Sequence, residues 1–200
     1  YTDETGNQRD AYFYPTLSGV ARSLNYYPIG QEETTDGIAN VALGLGKYIV
    51  DGGLTLRFSP KHPKHILQMS TMEYALRETQ TSFLALDLNN KNGHLPVDDG
   101  FNLLKLPVKE AEQDGTLDQI ASTFDPYDQV IRDGIWEGGR KIISFAHILE
   151  NETFPLAELL SDILKLGEEE MGRHVEIEFA VNLNSQDTDK KHAFYLLQIR

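Results

Sequence analysis

The sequence ends with two stretches that decide its fold, His174-Val-Glu-Ile-Glu-Phe-Ala-Val-Asn182 and Ala193-Phe-Tyr-Leu-Leu-Gln-Ile-Arg200. In the first stretch, apolar residues at every second position alternate with polar ones, which is typical of a half-buried β-strand. The second stretch is apolar and aromatic, and a polar connector from Asn184 to His192 separates the two. This pattern predicts an antiparallel hairpin with a long loop.

A register that places Glu178 opposite Gln198 also places Glu176 opposite Arg200, and directly opposed residues share one face of a sheet. Two carboxylates, an amide and a guanidinium would then meet on the polar side of the hairpin. Carboxylate and amide oxygens are hard ligands that suit Mg²⁺, which takes one or two protein carboxylates and completes its shell with water and phosphate. An adjacent arginine suits phosphate oxygens. By itself, the pattern favours a simpler interpretation, a solvated strand face with one cross-strand ion pair.

The hairpin residues resemble a known family. Val175-Glu-Ile-Glu-Phe179, a loop and then Tyr195-Leu-Leu-Gln-Ile-Arg200 are similar to the end of the ATP-grasp nucleotide-binding domain of phosphoenolpyruvate synthase and pyruvate phosphate dikinase, where the pattern is Asp-Ile-Glu-(Phe/Trp), a hairpin and Gln-x-Arg. The resemblance implies that Glu178 and Gln198 are the ligands of Mg²⁺ bound to ATP and that Arg200 is a catalytic contact to phosphate. It also places Glu176, which stands where the family usually has Asp, in the nucleotide site.

A second match lies near the start of the chain. Ser18-Gly-Val-Ala21 is similar to the family's Ser-Gly-Val-(Ala/Met)-Phe-(Ser/Thr) strand, which lines the nucleotide site. By this match Ser23 takes the place of a hydroxyl close to the phosphates. Arg22 occupies a position that is usually aromatic, and Leu24 one that is often basic. From the residues alone, Ser23 is equally compatible with a strand serine whose hydroxyl faces water.

A third match is the glycine-rich block Gly44-Leu-Gly-Lys-Tyr-Ile-Val-Asp-Gly52, which resembles the family's Gly-Leu-Gly-Glu-x-Val-Val-x-Gly. The resemblance implies that Gly44, Gly46 and Lys47 lie beside the nucleotide, with Lys47 reversing the charge of the family's Glu. The block is not a phosphate-binding P-loop, because Val41 and Tyr48 stand where that motif needs Gly and Ser or Thr. A glycine-rich turn before a short packed helix remains the alternative.

Composition excludes several classes of protein. The net charge of −13 argues against binding to nucleic acid or to an anionic membrane surface. No apolar run approaches the roughly 20 residues that span a bilayer, so we expect no membrane partner. The chain has no cysteine, which excludes disulfides, thiolate metal sites and cysteine nucleophiles. This composition agrees with a reducing cytoplasm, which is the compartment that we expect.

The resemblance implies an α+β fold, with a mixed, largely antiparallel sheet and packed helices, as in ATP-grasp proteins. Because the chain begins without Met and ends inside a motif, we expect residues 1–200 to be a partial ATP-grasp domain excised from a longer protein. Residues from about 70 to 133 have no counterpart in the shorter relatives and form a possible β-rich insertion.

Local patterns within the chain predict further elements. A helix is expected from Pro155 to Met171, with Thr153 as a possible N-cap, Gly172 at its end and the terminal hairpin's sheet beneath it. The middle region is predicted to contain a helix over 72–77, a strand over 82–88, a turn over 89–93 and a strand over 101–109.

The resemblance also implies a reaction in which ATP passes a phosphoryl group to a histidine on a separate domain, which later delivers it to pyruvate. This chain would supply Mg²⁺ coordination and electrostatic stabilisation. The family's Gly-Gly-x-Thr-(Ser/Cys)-His-Ala carrier block and the Arg-Ser-Ser stretch of the first ATP-grasp half are absent from the sequence. The expected partners are therefore ATP and, in the same polypeptide, that first half, a phosphohistidine domain and a phosphoenolpyruvate/pyruvate domain.

Without these partners, we expect the chain to bind ATP weakly and to catalyse nothing. Two alternatives remain open: a non-catalytic binding module that retained the fold, and a related dikinase whose acceptor is a glucan or an antibiotic.

Overall fold

A computed structural model describes residues 11–88, 102–183 and 192–200. The turn predicted over 89–93 and most of the hairpin connector lie outside these residues. The described residues form strands β1 (Tyr12–Phe13), β2 (Leu17–Arg22), β3 (Ile38–Ala42), β4 (Leu56–Phe58), β5 (Ser82–Asp87), β6 (Leu103–Pro107), β7 (Ala121–Asp125), β8 (Val130–Asp133), β9 (Arg140–Ile143), β10 (Glu176–Asn182) and β11 (Ala193–Ile199). The helices are α1 (Lys47–Val50), α2 (Met72–Glu78), α3 (Val108–Gln113), α4 (Ala146–Leu149) and α5 (Leu156–Met171), with short 3-10 helices at Thr34–Asp36, Leu67–Met69 and Thr116–Gln119.

The strands form three sheets, and all their pairings within the described ranges are antiparallel. The main sheet has the order β11-β10-β2-β3-β4, so the terminal hairpin pairs with a strand from the start of the chain. A second sheet has the order β1-β5-β6, and a third has the order β8-β7-β9. The predicted α+β class with a largely antiparallel sheet is confirmed.

The main sheet buries one face, and the alternation seen in the sequence determines which one. On β10 the side chains of Ile177, Phe179 and Val181 are buried, whereas the residues between them are half-buried. Helix α5 adds Leu160 and Leu164 to the same hydrophobic core. This confirms that the helix packs against the sheet of the terminal hairpin.

The helix approaches the hairpin closely at Gly167. A Cβ atom placed on Gly167 would lie 2.8 Å from Cδ1 of Ile199 and 3.1 Å from Cγ2 of Val175. A side chain at this position would push α5 away from the sheet, so glycine permits the observed contact.

Two local predictions are wrong in detail. Thr153 is not the N-cap of α5, because Pro155 holds that position and the Thr153 hydroxyl donates to the carbonyl of His147 at 2.8 Å. The strand predicted over 101–109 is shorter, because α3 begins at Val108 and its side chain turns into the core. The helix over 72–77 and the strand over 82–88 are confirmed to within a residue at each end.

Candidate functional site

The terminal hairpin adopts the predicted register. Glu178 lies directly opposite Gln198, and the backbones of Glu176 and Arg200 exchange two hydrogen bonds of 2.8 and 2.9 Å. A bulge follows, since Phe179 pairs with Leu196 and the residue between Leu196 and Gln198 is skipped. Directly opposed residues share a face, so the side chains of these four polar residues lie on the side of the main sheet away from its core. We call this side the polar face.

Charges on the polar face are paired around one carboxylate. Arg200 Nε donates to Oε1 of Glu176 at 2.9 Å, and a terminal nitrogen of Arg200 lies 3.3 Å from Oε1 of Glu178. The second oxygen of the same carboxylate, Oε2 of Glu176, accepts a hydrogen bond from Nε of Arg22. Burial alone would raise the pKa of Glu176, but the hydrogen bonds from Arg22 and Arg200 outweigh it and leave that pKa below its usual value. The pKa of Arg200 is raised by its hydrogen bond to Glu176, so both partners remain charged.

Gly44 to Gly46, between β3 and α1, form a turn that we call the glycine turn. It borders the end of the polar face that is opposite the arginines. Ser18 is opposite Ala180 on β10, two positions along from Glu178, which corresponds to about 6.5 Å of strand. A Cβ atom on Gly46 would lie 3.7 Å from Cβ of Ser18, so the turn passes over this end of the face. The polar face therefore runs from the glycine turn, through Glu178 and Gln198, to the arginines around Glu176.

The other two residues of the glycine block point elsewhere. Gly44 has a φ of +89°, and a Cβ atom there would lie 2.7 Å from the carbonyl oxygen of Leu84 on β5. Its absent side chain permits the turn to pack closely on β5. Lys47 is exposed at the start of α1, where its ammonium lies 3.1 Å from Asp51 in an i, i+4 ion pair. The structure thus gives Gly44 a packing role and Lys47 a partner on its own helix.

Ser23 does not lie on the polar face, although the resemblance implied a position close to the phosphates. Strand alternation turns it to the side opposite Arg22, where it is buried. Its hydroxyl accepts a hydrogen bond from the Val175 backbone N–H at 3.0 Å. A hydrogen bond from Ser23 is also the main reason that the pKa of Glu168 is lowered. Both hydrogen-bonding roles of this hydroxyl are used inside the fold, so it connects β2 to β10 and α5.

Sequence reasoning missed the place of Arg22. The pairing of β2 with β10 sets Arg22 directly opposite Glu176, on the same face as Gln198 and Arg200. The available signal was a basic residue at a strand position that is usually aromatic in similar sequences. That signal became interpretable only when the partner strand of β2 was known.

A comparison with protein families decides what kind of domain this is. The sequence model of the family "Pyruvate phosphate dikinase, AMP/ATP-binding domain" matches residues 7–200. The chain belongs to this family. No curated protein sequence gives a significant match to the chain.

Membership of the pyruvate phosphate dikinase AMP/ATP-binding family makes ATP the expected ligand. The matched range contains every residue of the polar face together with the glycine turn. Among the helices of the described ranges, none has both the length and the apolar character needed to cross a bilayer.

The polar face has a donor set that fits a magnesium nucleotide better than a bare metal ion. In the described part of the chain, no group of three or more His, Asp or Glu side chains is placed to hold a metal. Glu178 and Gln198 contribute one carboxylate and one amide oxygen, and the Glu178 side chain is 30% exposed on an open surface. Mg²⁺ commonly accepts so few protein ligands when phosphate and water supply the others. The residues present therefore fit Mg²⁺ delivered together with a polyphosphate.

Two clefts lie away from the polar face. One, of about 570 Å³, is lined by the β7–β8 turn and by the segment before β9, including the exposed Tyr127 and Trp136. The other, of about 590 Å³, lies beside the start of α3 and is lined by residues such as Glu112 and Lys141. Neither of these two clefts includes a residue of the polar face.

Proposed function

We propose that this chain is the nucleotide-binding part of an ATP-dependent phosphotransferase that resembles phosphoenolpyruvate synthase. In this proposal, ATP gives a phosphoryl group to a carrier histidine on another domain of the same polypeptide, and that domain passes it to pyruvate. The chain by itself binds ATP weakly and transfers nothing, because the carrier and the acceptor site lie elsewhere.

One observation carries the proposal. Glu178 and Gln198 lie directly opposite each other on an open face, and a guanidinium nitrogen of Arg200 lies 3.3 Å from Glu178. A carboxylate, an amide and a cation that share one surface suit a divalent cation and a phosphate group at the same time. An ordinary solvated strand face would not need the amide of Gln198 beside this ion pair.

Each side chain has a distinct part in the proposal. Glu178 and Gln198 hold Mg²⁺, Arg200 contacts a phosphate, and Glu176 orients Arg200 through the 2.9 Å hydrogen bond. Gly46 lets the turn approach the nucleotide from the other end of the face. When bound, Mg²⁺ would neutralise charge on the phosphate oxygens, which is a large part of what phosphoryl transfer requires. The protein's own contribution is to position and stabilise charge.

Calorimetric titration of ATP in the presence and absence of Mg²⁺ tests the proposal. We expect Mg²⁺ to strengthen ATP binding by the wild-type chain, and Glu178→Gln and Gln198→Ala to lower the affinity for Mg·ATP by about tenfold or more. Glu169→Gln on α5 and Gln113→Ala on α3 change the same residue types at exposed positions and should leave the affinity unchanged. Equal Mg·ATP affinity for the wild type and the two site variants would rule out the proposal.

A non-catalytic binding module is the second candidate, and Lys47 favours it. The family's acidic residue at this position lies beside the nucleotide, whereas Lys47 is paired with Asp51 at 3.1 Å. Phosphotransfer by the full-length protein distinguishes the two candidates. Loss of Mg-dependent transfer in Glu178→Gln supports the enzyme, and the absence of any transfer by the wild type supports the module. A glucan or an antibiotic in place of pyruvate would be revealed in the same assay by the identity of the phosphorylated product.

A further inference from the structure

Arg22 is held in the same cluster as the proposed phosphate contact. It is the last residue of β2 and lies opposite Glu176, and Glu176 in turn lies opposite Arg200. Nε of Arg22 donates to one oxygen of the Glu176 carboxylate, while Arg200 uses the other oxygen. A single carboxylate therefore holds two guanidinium groups side by side.

Most of the hydrogen-bonding capacity of Arg22 is unused by the fold. A guanidinium has five N–H donors, and within the described ranges only Nε of Arg22 has a partner. The Arg22 side chain is 52% exposed, so a ligand in solution can reach it. Exposed ion pairs add little to stability, so folding alone does not explain two arginines around one carboxylate.

The charge balance of the cluster points to an anion that arrives with a cation. Arg22 and Arg200 carry two positive charges, and Glu176 and Glu178 carry two negative charges, so the four side chains together are neutral. A divalent cation at Glu178 and Gln198 would leave a net charge of +2 on this part of the polar face. Guanidinium groups bind phosphate oxygens through paired N–H donors, so the surface then complements a polyphosphate.

We propose that Arg22 is a second phosphate-binding residue, which together with Arg200 holds the polyphosphate chain of the nucleotide at the end of the polar face opposite the glycine turn. Glu176 is the positioning residue that keeps both guanidinium groups in place. The inference rests on the proposed function, because it takes the bound anion to be the polyphosphate of Mg·ATP.

The test compares a nucleotide with a bare polyphosphate. Calorimetric titrations with ATP and with inorganic tripolyphosphate, each with Mg²⁺, are made on the wild type, Arg22→Met, Arg22→Lys and Arg132→Met. Arg132 is the matched control, because it is likewise an exposed strand arginine in an ion pair, in its case with Asp125 and Asp128. Circular dichroism verifies that each variant is folded.

We expect Arg22→Met to weaken binding of both probes by about tenfold, the typical loss for a charge-assisted hydrogen bond, and Arg132→Met to leave both affinities unchanged. Arg22→Lys keeps the charge without the planar fork and should fall between the wild type and Arg22→Met, which also provides a measurement if Arg22→Met does not fold.

The inference is overturned if Arg22→Met binds both probes with the affinity of the wild type; if Arg22→Met does not fold, Arg22→Lys is judged in the same way. A loss of affinity for ATP alone also overturns it, because that result would indicate contact with the nucleoside. Arg22-dependent binding of tripolyphosphate by a wild type that does not bind ATP supports the anion site and removes the proposed function. A wild type that binds neither probe overturns both.

Discussion

The ring of Phe179 on β10 occupies the space in which a side chain at Gly19 on β2 would lie. The two residues are directly opposite each other, and a Cβ atom on Gly19 would be 2.2 Å from Cζ of the ring. Phe179 is buried and also stacks on Phe194 of β11, with ring centroids 5.3 Å apart. Glu178, the proposed ligand of Mg²⁺, directly precedes Phe179 on β10, so this contact lies next to the proposed site.

Gly19→Ala should therefore destabilise the fold. The added methyl group cannot fit without displacing the Phe179 ring, and overpacking of this kind costs about 1–3 kcal/mol. Urea denaturation measures the change in the free energy of unfolding. Gly46→Ala is the control, because Gly46 has a φ of −58° and the nearest atom to its added Cβ would be 3.7 Å away. An equal loss of unfolding free energy in the two variants would mean that the contact between Gly19 and Phe179 does not limit the size of the side chain at position 19.

Gln80 supports the glycine turn from the side of β5. Its side-chain oxygen accepts a hydrogen bond from the Leu43 N–H at 2.8 Å, and its amide nitrogen donates to the Leu43 carbonyl at 3.0 Å. We expect Gln80→Ala to cost about 1–3 kcal/mol, because buried backbone groups of Leu43 lose their partners.

Hydrogen exchange should also become faster at the amide of Leu43, which directly precedes the turn. Gln113→Ala, at an exposed position on α3, is the control and should change neither the unfolding free energy nor the exchange. Unaltered protection of Leu43 in Gln80→Ala would refute the supporting role.

Ser23→Ala separates a folding role from a nucleotide role. The Ser23 hydroxyl is buried and accepts the hydrogen bond of the Val175 N–H at 3.0 Å. Its removal should lower the free energy of unfolding by about 1–3 kcal/mol while the variant, once folded, keeps the affinity of the wild type for Mg·ATP. A folded variant that loses affinity with unchanged stability would return Ser23 to the nucleotide site.

Asp36 makes stability depend on pH. Its carboxylate is buried and accepts a hydrogen bond of 2.6 Å from the Glu33 backbone N–H, which is the main reason that its pKa lies below the usual 3.8. Lys61 at 3.3 Å and His62 at 3.2 Å add favourable charge. A lowered pKa means that the folded state prefers the charged form. The stabilisation is therefore complete above pH 3.8 and is lost as the pH falls through the pKa of the folded state.

Asp36→Asn measures this contribution. We expect the variant to be less stable than the wild type by about 1.5–3 kcal/mol near neutral pH, with the difference shrinking below pH 3.8. Unfolding free energies from urea titrations at several pH values provide the comparison. Asp51→Asn, at an exposed carboxylate paired with Lys47, should change stability by less than about 1 kcal/mol. A constant difference between wild type and Asp36→Asn down to the lowest pH would show that ionisation of Asp36 does not contribute.

The sequence by itself determined the local elements and the kind of domain. Alternation over residues 175–181 predicted β10, periodic leucines predicted α5, and the opposition of Glu178 and Gln198 followed from one assumed register. These features depend on residues that are close in sequence, and the period of a strand or helix is visible in the order of side chains. The motifs of the hairpin and of the glycine turn pointed to the family that the comparison then established.

Only the tertiary structure decided which distant residues meet. Arg22 lies beside Glu176 because β2 pairs with β10. The same pairing places Arg22 on the polar face, so Ser23, the next residue, turns towards the core. Gln80, in the loop between α2 and β5, reaches Leu43, which directly follows β3. Arg22 and Glu176 are 154 positions apart in the sequence, and contacts of this kind follow from how all the strands and helices together bury one core. No local pattern encodes that arrangement, because the free energy that selects it belongs to the packed chain as a whole.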